Sequence, residues 1–281
     1  MYYTAYLMGG LGNQLFQIFV TIALALRNNK EFKFEYSDVL TAGVERPTYW
    51  NNLLTRLKPY TTNGIYNRND MIIARERGFE YNEFLPIEVS MSNKPACLYG
   101  YFQTDKYFSD YYAQIIEMIG LARLQQDIRV KTKVLSPMKV NVSLHFRLGD
   151  YVHKQGHHPV MPVSYYIKAL RNVPEKCRVI YFCEDADIDR VNISVQVLAK
   201  SFPSMEFIRA DVTDDWEQML LMSVCDHNII ANSSFSWWGA YFNSNTVKQV
   251  YYPSIWFGPL LANNNTKDLC PASWTKINIS A

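Results

Sequence analysis

The feature that most limits the possible folds is an alternation of strand-like runs and helical patterns through the second half of the chain. The runs that fit strands lie at 140–147, 177–183, 205–210, 227–232 and 247–253. Stretches with helical spacing separate them, so we expect parallel strands that are joined by helices. This pattern predicts a doubly wound α/β sheet, whose ligand site lies outside the carboxyl ends of the strands.

The first half of the chain opens in the same way. An apolar strand at 2–8 leads through the residues GGLGNQ into a helix at about 13–28, and residues 31–36 then alternate strictly, as a strand would. The other elements predicted in this half are a strand near 96–101, a helix over 110–122, and helices and loops over 40–95.

The length of the chain suits two domains. Its 281 residues would allow each domain about 140 residues and a core of its own. A polar stretch at 123–139 separates the two strand-rich halves, and we place the domain boundary around 132–139. The predicted domains are therefore 1–135 and 136–281.

Composition excludes several classes of protein. The apolar fraction of 48% and the charged fraction of 19% are typical of a soluble globular chain. The net charge of +2 comes without a basic stripe, which argues against a nucleic-acid partner. Five cysteines without a CxxC spacing argue against a disulfide scaffold and a structural zinc. Because the chain shows neither a basic leader nor an apolar run long enough for a membrane span, we expect a cytoplasmic protein without integral membrane contact.

Three polar clusters follow predicted strands: GGLGNQ at 9–14, HFRLGD at 145–150 and NSSFSWWG at 232–239. If the second sheet is parallel, the last two clusters must converge on one edge of it. The third cluster predicts a helix that begins with Ser233 or Ser234 as its N-cap. The free N–H groups of its first turn, helped by hydroxyls such as that of Ser236, would form an anion site. The alternative is ordinary capping, with the tryptophans in the core.

Arg147 is the natural counter-charge for an anion at this edge. Its planar guanidinium suits a phosphate or diphosphate bidentately. The alternative is an ion pair with Asp150, three residues later. His145 shares a strand face with Arg147, and its alternative role is that of a hydrogen-bonded core residue.

Other motifs carry weaker signals. GGLGNQ fits neither the dinucleotide fingerprint nor the phosphate-binding P-loop, because its glycines have the wrong spacing. Three histidines at 153–158 lie in a polar stretch that does not fix a metal geometry. Asp185 and Asp187 form a D-x-D pattern of the kind that holds a metal–nucleotide complex in some glycosyltransferases.

Five sequence blocks together resemble glycosyltransferase family 11, the α-1,2-fucosyltransferases, and occur in the family's order. They are GGLGNQLFQ at 9–17, GYFQTDKYF at 100–108, HFRLGDYV at 145–152, HNIIANSSFSWWGAYF at 227–242 and DLCPASWTKI at 268–277. The resemblance implies a GT-B-type fold, in which two Rossmann-like doubly wound domains face a cleft. The first domain would lie on the acceptor side, and the second would bind the GDP-sugar donor.

The resemblance also implies a reaction. The chain would move L-fucose from GDP-fucose to the 2-hydroxyl of a glycan acceptor, a galactoside, with inversion and without a metal or other cofactor. Arg147 would bind the diphosphate, and His145 would contact the nucleotide. The residues implied for the diphosphate pocket are Asn232, Ser233, Ser234 and Ser236; those implied to face the cleft from the first domain are Gly10, Gly12, Asn13 and Gln14. Asp150 and His158 are the candidates for the catalytic base.

Two positions depart from the family's pattern. The family's His-x-Arg-Arg motif carries a second arginine where this chain has Leu148, which puts donor affinity in doubt. An acidic residue that often reads the guanine is replaced by Gln218. Two alternatives therefore stay open. One is an inactive nucleotide- or sugar-binding module, and the other is a metal-dependent transferase that uses Asp185 and Asp187.

Overall fold

The chain divides into two compact units, and each unit combines two separate stretches of the chain. The computed structural model describes residues 1–41, 43–65, 71–83, 85 and 94–279. One unit comprises Met1–Leu124 with Asn264–Pro271, and the other comprises Gln125–Asn263 with Ala272–Ala281. The segment near the C-terminus thus contributes first to one unit and then to the other.

The first unit is built on a four-stranded parallel sheet. The strands of the unit as a whole are β1 (Tyr2–Ala5), β2 (Glu31–Phe32), β3 (Phe34–Glu35), β4 (Val39–Leu40), β5 (Arg46–Pro47), β6 (Thr61–Thr62), β7 (Ile72–Arg75) and β8 (Ala96–Tyr99). The main sheet has the order β2-β1-β8-β7, and all its pairs are parallel. Strands β3 and β6 form a small parallel pair, and β4 and β5 form an antiparallel one.

Two helices of the first unit follow from clear sequence signals. Helix α1 (Leu11–Arg27) begins after Gly10 and is buried along most of its length. Helix α2 (Tyr112–Ile119) ends at Gly120, whose φ of +71° is the left-handed conformation that glycine adopts without a steric penalty. In the segment from the C-terminal region, Asp268 accepts hydrogen bonds from Lys106 at 2.5 Å and from the Tyr81 N–H at 3.1 Å.

The second unit carries a six-stranded parallel sheet. The elements from here on are α3 (Leu121–Lys131), β9 (Asn141–His145), α4 (Val163–Leu170), β10 (Arg178–Phe182), α5 (Ile188–Ser201), β11 (Glu206–Arg209), α6 (Asp215–Ser223), β12 (His227–Ile229), α7 (Ser234–Tyr241), β13 (Val250–Pro253) and β14 (Thr275–Ile277). The strand order is β11-β10-β9-β12-β13-β14. Helix α3 crosses the boundary between the units, since its first four residues belong to the first. The α/β class with parallel sheets is confirmed.

Several element predictions were wrong in detail. The stretch 123–139 was interpreted as a polar connection, yet most of it lies in helix α3. The expected single strand at 31–36 is interrupted at Lys33, and its halves pair in different sheets. Strand β14 was not predicted. Of the interval 40–95, the described residues form short strands and a 3-10 helix over Thr55–Tyr60, while 42, 66–70, 84 and 86–93 lie outside the described residues.

The register of the second sheet decides what meets at its carboxyl edge. Strand β9 lies between β10 and β12, with Phe182 opposite His145 and Ile229 opposite Leu144. The prediction that the clusters after β9 and β12 converge is therefore confirmed. In the described part of the chain, we find no helix with the length and apolar character that crossing a bilayer requires.

Candidate functional site

His145 ends strand β9 and is buried in the second unit. Its backbone carbonyl accepts a hydrogen bond from the Tyr166 hydroxyl at 3.1 Å, and its ring lies 5.5 Å from that of Phe235. Its Nδ1 is buried without a hydrogen-bond partner among the described residues. Burial, together with the charge of Arg147, lowers the pKa of His145 to about 3. The imidazole is therefore neutral at ordinary pH and offers a free ring nitrogen.

The guanidinium of Arg147 lies two residues beyond the strand end and has contacts on three sides. Its Nη1 group pairs with Glu184, and its Nη2 group lies 2.6 Å from Asp150 Oδ1. The ring of Tyr151 lies beneath it, with 4.9 Å from the guanidinium carbon to the ring centroid. The ion pair with Asp150, which the sequence left as the alternative role, is thus present in the structure.

The loop after Arg147 is tied to the neighbouring strand end. Gly149 has a φ of +44°, and its N–H donates to the Asp187 carboxylate at 2.7 Å. A Cβ at this glycine would lie 3.0 Å from a carboxylate oxygen of Glu184. Leu148 packs against the hydrophobic core of the unit. The position where the family carries a second arginine is therefore used for packing in this chain, and Arg147 has no adjacent arginine to share its role.

Tyr151 connects this loop to the end of β12. Its hydroxyl donates to the backbone carbonyl of Asn232 at 3.2 Å, and its ring stacks on that of His158 at 4.8 Å with an interplanar angle of 19°. The ring of Phe257 also lies near His158, with 5.6 Å between the ring centroids. Burial lowers the pKa of His158, an effect that the carboxylate of Asp150 opposes. The Nδ1 of His158 is buried and has no hydrogen-bond partner in the described residues.

Asn232 and the serines after it shape the start of helix α7. The side-chain amide of Asn232 donates to the carbonyls of Pro159 and Trp256 at 3.0 and 3.1 Å. Its Oδ1 is buried and unpartnered among the described residues. Ser233 is the N-cap, since its hydroxyl accepts from the Phe235 N–H at 3.3 Å. The sequence left Ser233 and Ser234 open as the N-cap, and the structure shows Ser233 in that position.

The other two serines differ in their surroundings. The hydroxyl of Ser236 is buried and donates back to the carbonyl of Ser233 at 3.4 Å. Ser234 is the first residue of α7 and is only partly buried. The geometry gives Ser236 a role inside the helix, whereas Ser234 lies in the first turn, at the positive end of the helix dipole.

Gln218 is not joined to this group. Its side-chain amide donates to the carbonyl of Thr213 at 3.1 Å, and no described contact links it to Arg147 or Asn232. The adjacent Glu217 is buried and forms an ion pair with Lys131 at 2.6 Å. The ion pair between Glu217 and Lys131 therefore links helix α6 to helix α3.

The predicted residues of the first unit form a network of amide side chains. Gln14 donates to the carbonyls of Gly9 and Pro47, both at 2.9 Å, and Asn13 accepts from Gln103 at 2.9 Å. Gly10 is the N-cap residue of α1, and the buried Gly12 lies in its first turn. These contacts hold the turn between β1 and α1 in place.

Gln103, which bonds to Asn13, and Glu76, which bonds to the loop before Gln103, are not among the predicted site residues. Glu76 accepts from the N–H groups of Tyr101 and Phe102 at 2.7 and 2.8 Å. Phe102 has a φ of +53°, a conformation that residues other than glycine seldom adopt. A Cβ at Gly100 would clash with that of Glu76, so the chain needs glycine there. The block GYFQ in the sequence was the available signal for this strained loop.

The D-x-D pair has protein partners on both carboxylates. Asp185 pairs with Arg209, and the buried Asp187 accepts the Gly149 N–H. No group of three or more metal-ligating side chains occurs among the residues that the structure describes. Two site residues were missed by the sequence argument, Glu184 and Tyr151. The signal for Glu184 was an acid two residues past strand β10, beside the strand that precedes Arg147.

Comparison with known proteins gives the family context for this geometry. The family model described as glycosyl transferase family 11 matches residues 2–257. A protein of Escherichia coli named alpha-1,2-colitosyltransferase is 26% identical over 97% of this chain and 98% of its own length. The O-antigen biosynthesis glycosyltransferase WbnK of Escherichia coli is 32% identical over 64% of this chain, and the match spans 60% of that protein.

A solved structure shares the fold. The structure of an Arabidopsis thaliana FUT1 mutant in complex with GDP matches 96% of this chain and 74% of its own, with a TM-score of 0.50 and 10% sequence identity. At this identity the likeness concerns the fold alone. The fold class is that of the GT-B-type glycosyltransferases, as the sequence resemblance implied.

Proposed function

The chain belongs to glycosyl transferase family 11, and on that premise we propose that it is an inverting fucosyltransferase. It moves L-fucose from GDP-fucose to the 2-hydroxyl of a galactoside within a glycan acceptor, without a metal. The observation that carries this proposal is the pairing of the two strands that lead to Arg147 and to helix α7. One cation and one helix N-terminus follow the adjacent parallel strands β9 and β12.

This arrangement suits a diphosphate leaving group. As the bond between fucose and GDP breaks, negative charge grows on the diphosphate oxygens. Arg147 offers a fork of N–H donors, and the first turn of α7 offers N–H groups with a favourable dipole. Preorganised donors of this kind commonly contribute about 10²-fold or more each to the rate. Arg147 therefore stabilises the departure of GDP.

The nucleotide end of the donor meets His145. Because its ring is neutral and its Nδ1 is buried and unpartnered in the described residues, His145 acts as a hydrogen-bond partner and not as a charge. Asn232 presents a second buried atom of this kind, its Oδ1. Buried polar atoms are normally hydrogen-bonded, so these two are expected to find partners on the donor.

His158 is the better supported of the two candidate bases. Asp150 is engaged by Arg147 at 2.6 Å and by Lys154 at 3.2 Å, which leaves its carboxylate little freedom to take a proton. His158 has a lowered pKa and an Nδ1 without a partner in the described part of the chain. A neutral imidazole can accept the proton of the acceptor hydroxyl.

A second candidate donor comes from the relative that spans 97% of this chain, which is named a colitosyltransferase. Colitose is fucose without its 3-hydroxyl, so the two donors differ at one polar group. A site that binds that hydroxyl would favour fucose strongly, whereas an apolar wall would accept both. The transfer rates with GDP-fucose and with GDP-colitose decide which of the two donors the chain uses.

The experiment begins with calorimetric titration of the purified chain with GDP in EDTA, beside UDP and ADP. We expect GDP-selective binding that needs no metal. GDP-fucose is then incubated with a series of galactosides, GDP release is followed, and the product's anomeric configuration is determined by NMR. Transfer that requires manganese would favour the D-x-D alternative, and GDP binding without transfer to any acceptor would favour the inactive module.

A further inference from the structure

We infer that Glu184 holds the guanidinium of Arg147 before the donor binds and is the group that the donor's diphosphate displaces. The inference rests on the proposed function, because it assumes that Arg147 receives a diphosphate. It adds a positioning residue that neither the family motif nor the comparisons assign. Glu184 acts on the donor through Arg147 and has no direct part in the chemistry.

The sheet brings the two residues together. Glu184 lies two residues past strand β10, and Arg147 lies two residues past β9. The register places Phe182 opposite His145, so the chains leave the sheet side by side. The Glu184 carboxylate pairs with Nη1 of Arg147. An acid and a base at these two positions are therefore partners by topology.

Protein groups already occupy the guanidinium edges that an anion would use. Glu184 pairs with Nη1, Asp150 lies 2.6 Å from Nη2, and the ring of Tyr151 covers one face. A diphosphate that binds bidentately needs two N–H groups on one edge. At least one carboxylate must leave before the donor can bind in that way.

Glu184 is the carboxylate that can leave. Asp150 is held a second time by Lys154, at 3.2 Å, and it lies on the same 3-10 turn as Tyr151. The Glu184 carboxylate makes no other hydrogen bond or ion pair within the described ranges, and its side chain is 55% exposed against 40% for Asp150. The missing side chain of Gly149 leaves the space in which the Glu184 carboxylate now lies.

The consequence is a competition that can be measured. Before the donor binds, Glu184 holds the Nη1 group of Arg147, but its charge opposes the incoming diphosphate. Neutralising it should raise GDP affinity, and a partly exposed ion pair of this kind corresponds to roughly three- to fivefold. If Glu184 had only a structural role, its substitution would weaken GDP binding. The direction of the change in GDP affinity therefore separates a structural role from a competing one.

The test is calorimetric titration with GDP in EDTA of wild type, Glu184→Gln, Glu184→Ala and the matched control Asp185→Asn. Asp185 is the next residue, loses the same charge and pairs with Arg209 instead. We expect both Glu184 variants to lower the Kd for GDP at least threefold, and the control to stay within twofold. Thermal unfolding of all four proteins checks that the fold is kept.

The outcomes separate this inference from the proposed function. Unchanged or weaker GDP binding in the Glu184 variants overturns the inference. An equal gain in Asp185→Asn would assign the effect to net charge and also overturn it. A gain in Glu184→Gln alone would show that the new amide binds phosphate, which overturns the inference as well. If wild type binds no GDP, the proposed function fails first, whatever the variants do.

Discussion

The hydroxyl of Tyr151 donates a hydrogen bond of 3.2 Å to the backbone carbonyl of Asn232. This bond joins the loop that follows β9 to the chain that follows β12, and those are the two segments that supply the candidate donor site. The same ring supports the Arg147 guanidinium. One side chain thus contacts both the cation and the chain that leads into α7.

Tyr151→Phe should keep the ring and lose the bond, whereas Tyr151→Ala should lose both. We expect the first to cost about 1 kcal/mol of unfolding free energy and to change the Kd for GDP little. The second removes the surface on which Arg147 rests, and we expect GDP binding to weaken about tenfold. Urea unfolding and calorimetry measure the two effects. Equal Kd values for both variants would contradict the role of the ring.

Arg147→Ala should lower turnover by about 10²-fold or more with little loss of stability, because we propose the guanidinium as a principal donor to the leaving group. Arg147→Lys should recover only a small part, since an ammonium cannot bind two phosphate oxygens as a planar fork does. Turnover is measured by GDP release from GDP-fucose. Arg209→Ala, at the end of strand β11, is the control and should stay near wild type. Full activity in Arg147→Ala would end the proposal for this residue.

The stability of the second unit should fall in acid because of His145. The pKa of this buried histidine is about 3 in the folded protein, against an ordinary value of 6.5. Between these values the unfolded chain binds a proton that the folded chain does not, so stability is full above pH 6.5 and falls as pH is lowered toward 3. The loss is on the order of a few kcal/mol.

Urea unfolding at several pH values measures this dependence. His145→Asn should flatten the curve over that range, and the same substitution at the exposed His157 should not. A curve of unchanged slope in His145→Asn would assign the acid sensitivity to other groups.

Asn228→Ala should destabilise the second unit by about 2–4 kcal/mol. The Asn228 amide is fully buried; it donates to Ser143 at 2.7 Å and to the Met222 carbonyl at 2.8 Å. Its oxygen accepts from Asn243 at 2.8 Å. Removal leaves each of these buried groups with one hydrogen bond fewer. Asn172→Ala, at an exposed amide, is the control, and chemical denaturation of both variants measures the difference. A cost equal to that of the control would contradict the role of the network.

The sequence predicted the second sheet well because its strands are apolar and its helices regular. It failed at α3, whose sequence LARLQQDIRVK has only a narrow apolar stripe of Leu121, Leu124 and Ile128 among polar residues. That helix is held by polar contacts, such as Gln125 to Ser223 at 3.0 Å and Lys131 to Glu217 at 2.6 Å, which no local periodicity reveals. Strand β14 escaped notice because it has three residues and two of them are exposed.

The sequence predicts the site only where it also predicts the strands that lead to the site residues. The convergence of Arg147 and Asn232 follows from parallel pairing, and it could be deduced once the strands were recognised. Asp150 was predictable as a partner of Arg147 from its spacing, but Glu184 was not, because that contact depends on the order of the strands, which places β10 beside β9. The structure shows that both carboxylates are used.

The alternating use of the segment near the C-terminus has a consequence for how the protein is made. The first unit needs Asp268, which binds Lys106 and Tyr81, and the second needs β14, which pairs Thr275 with Tyr251. The first unit cannot acquire its full set of contacts until the residues up to 271 have left the ribosome, and the second cannot until residue 277 has. Both units therefore stay incomplete through most of translation, and their completion waits for the same short stretch of chain.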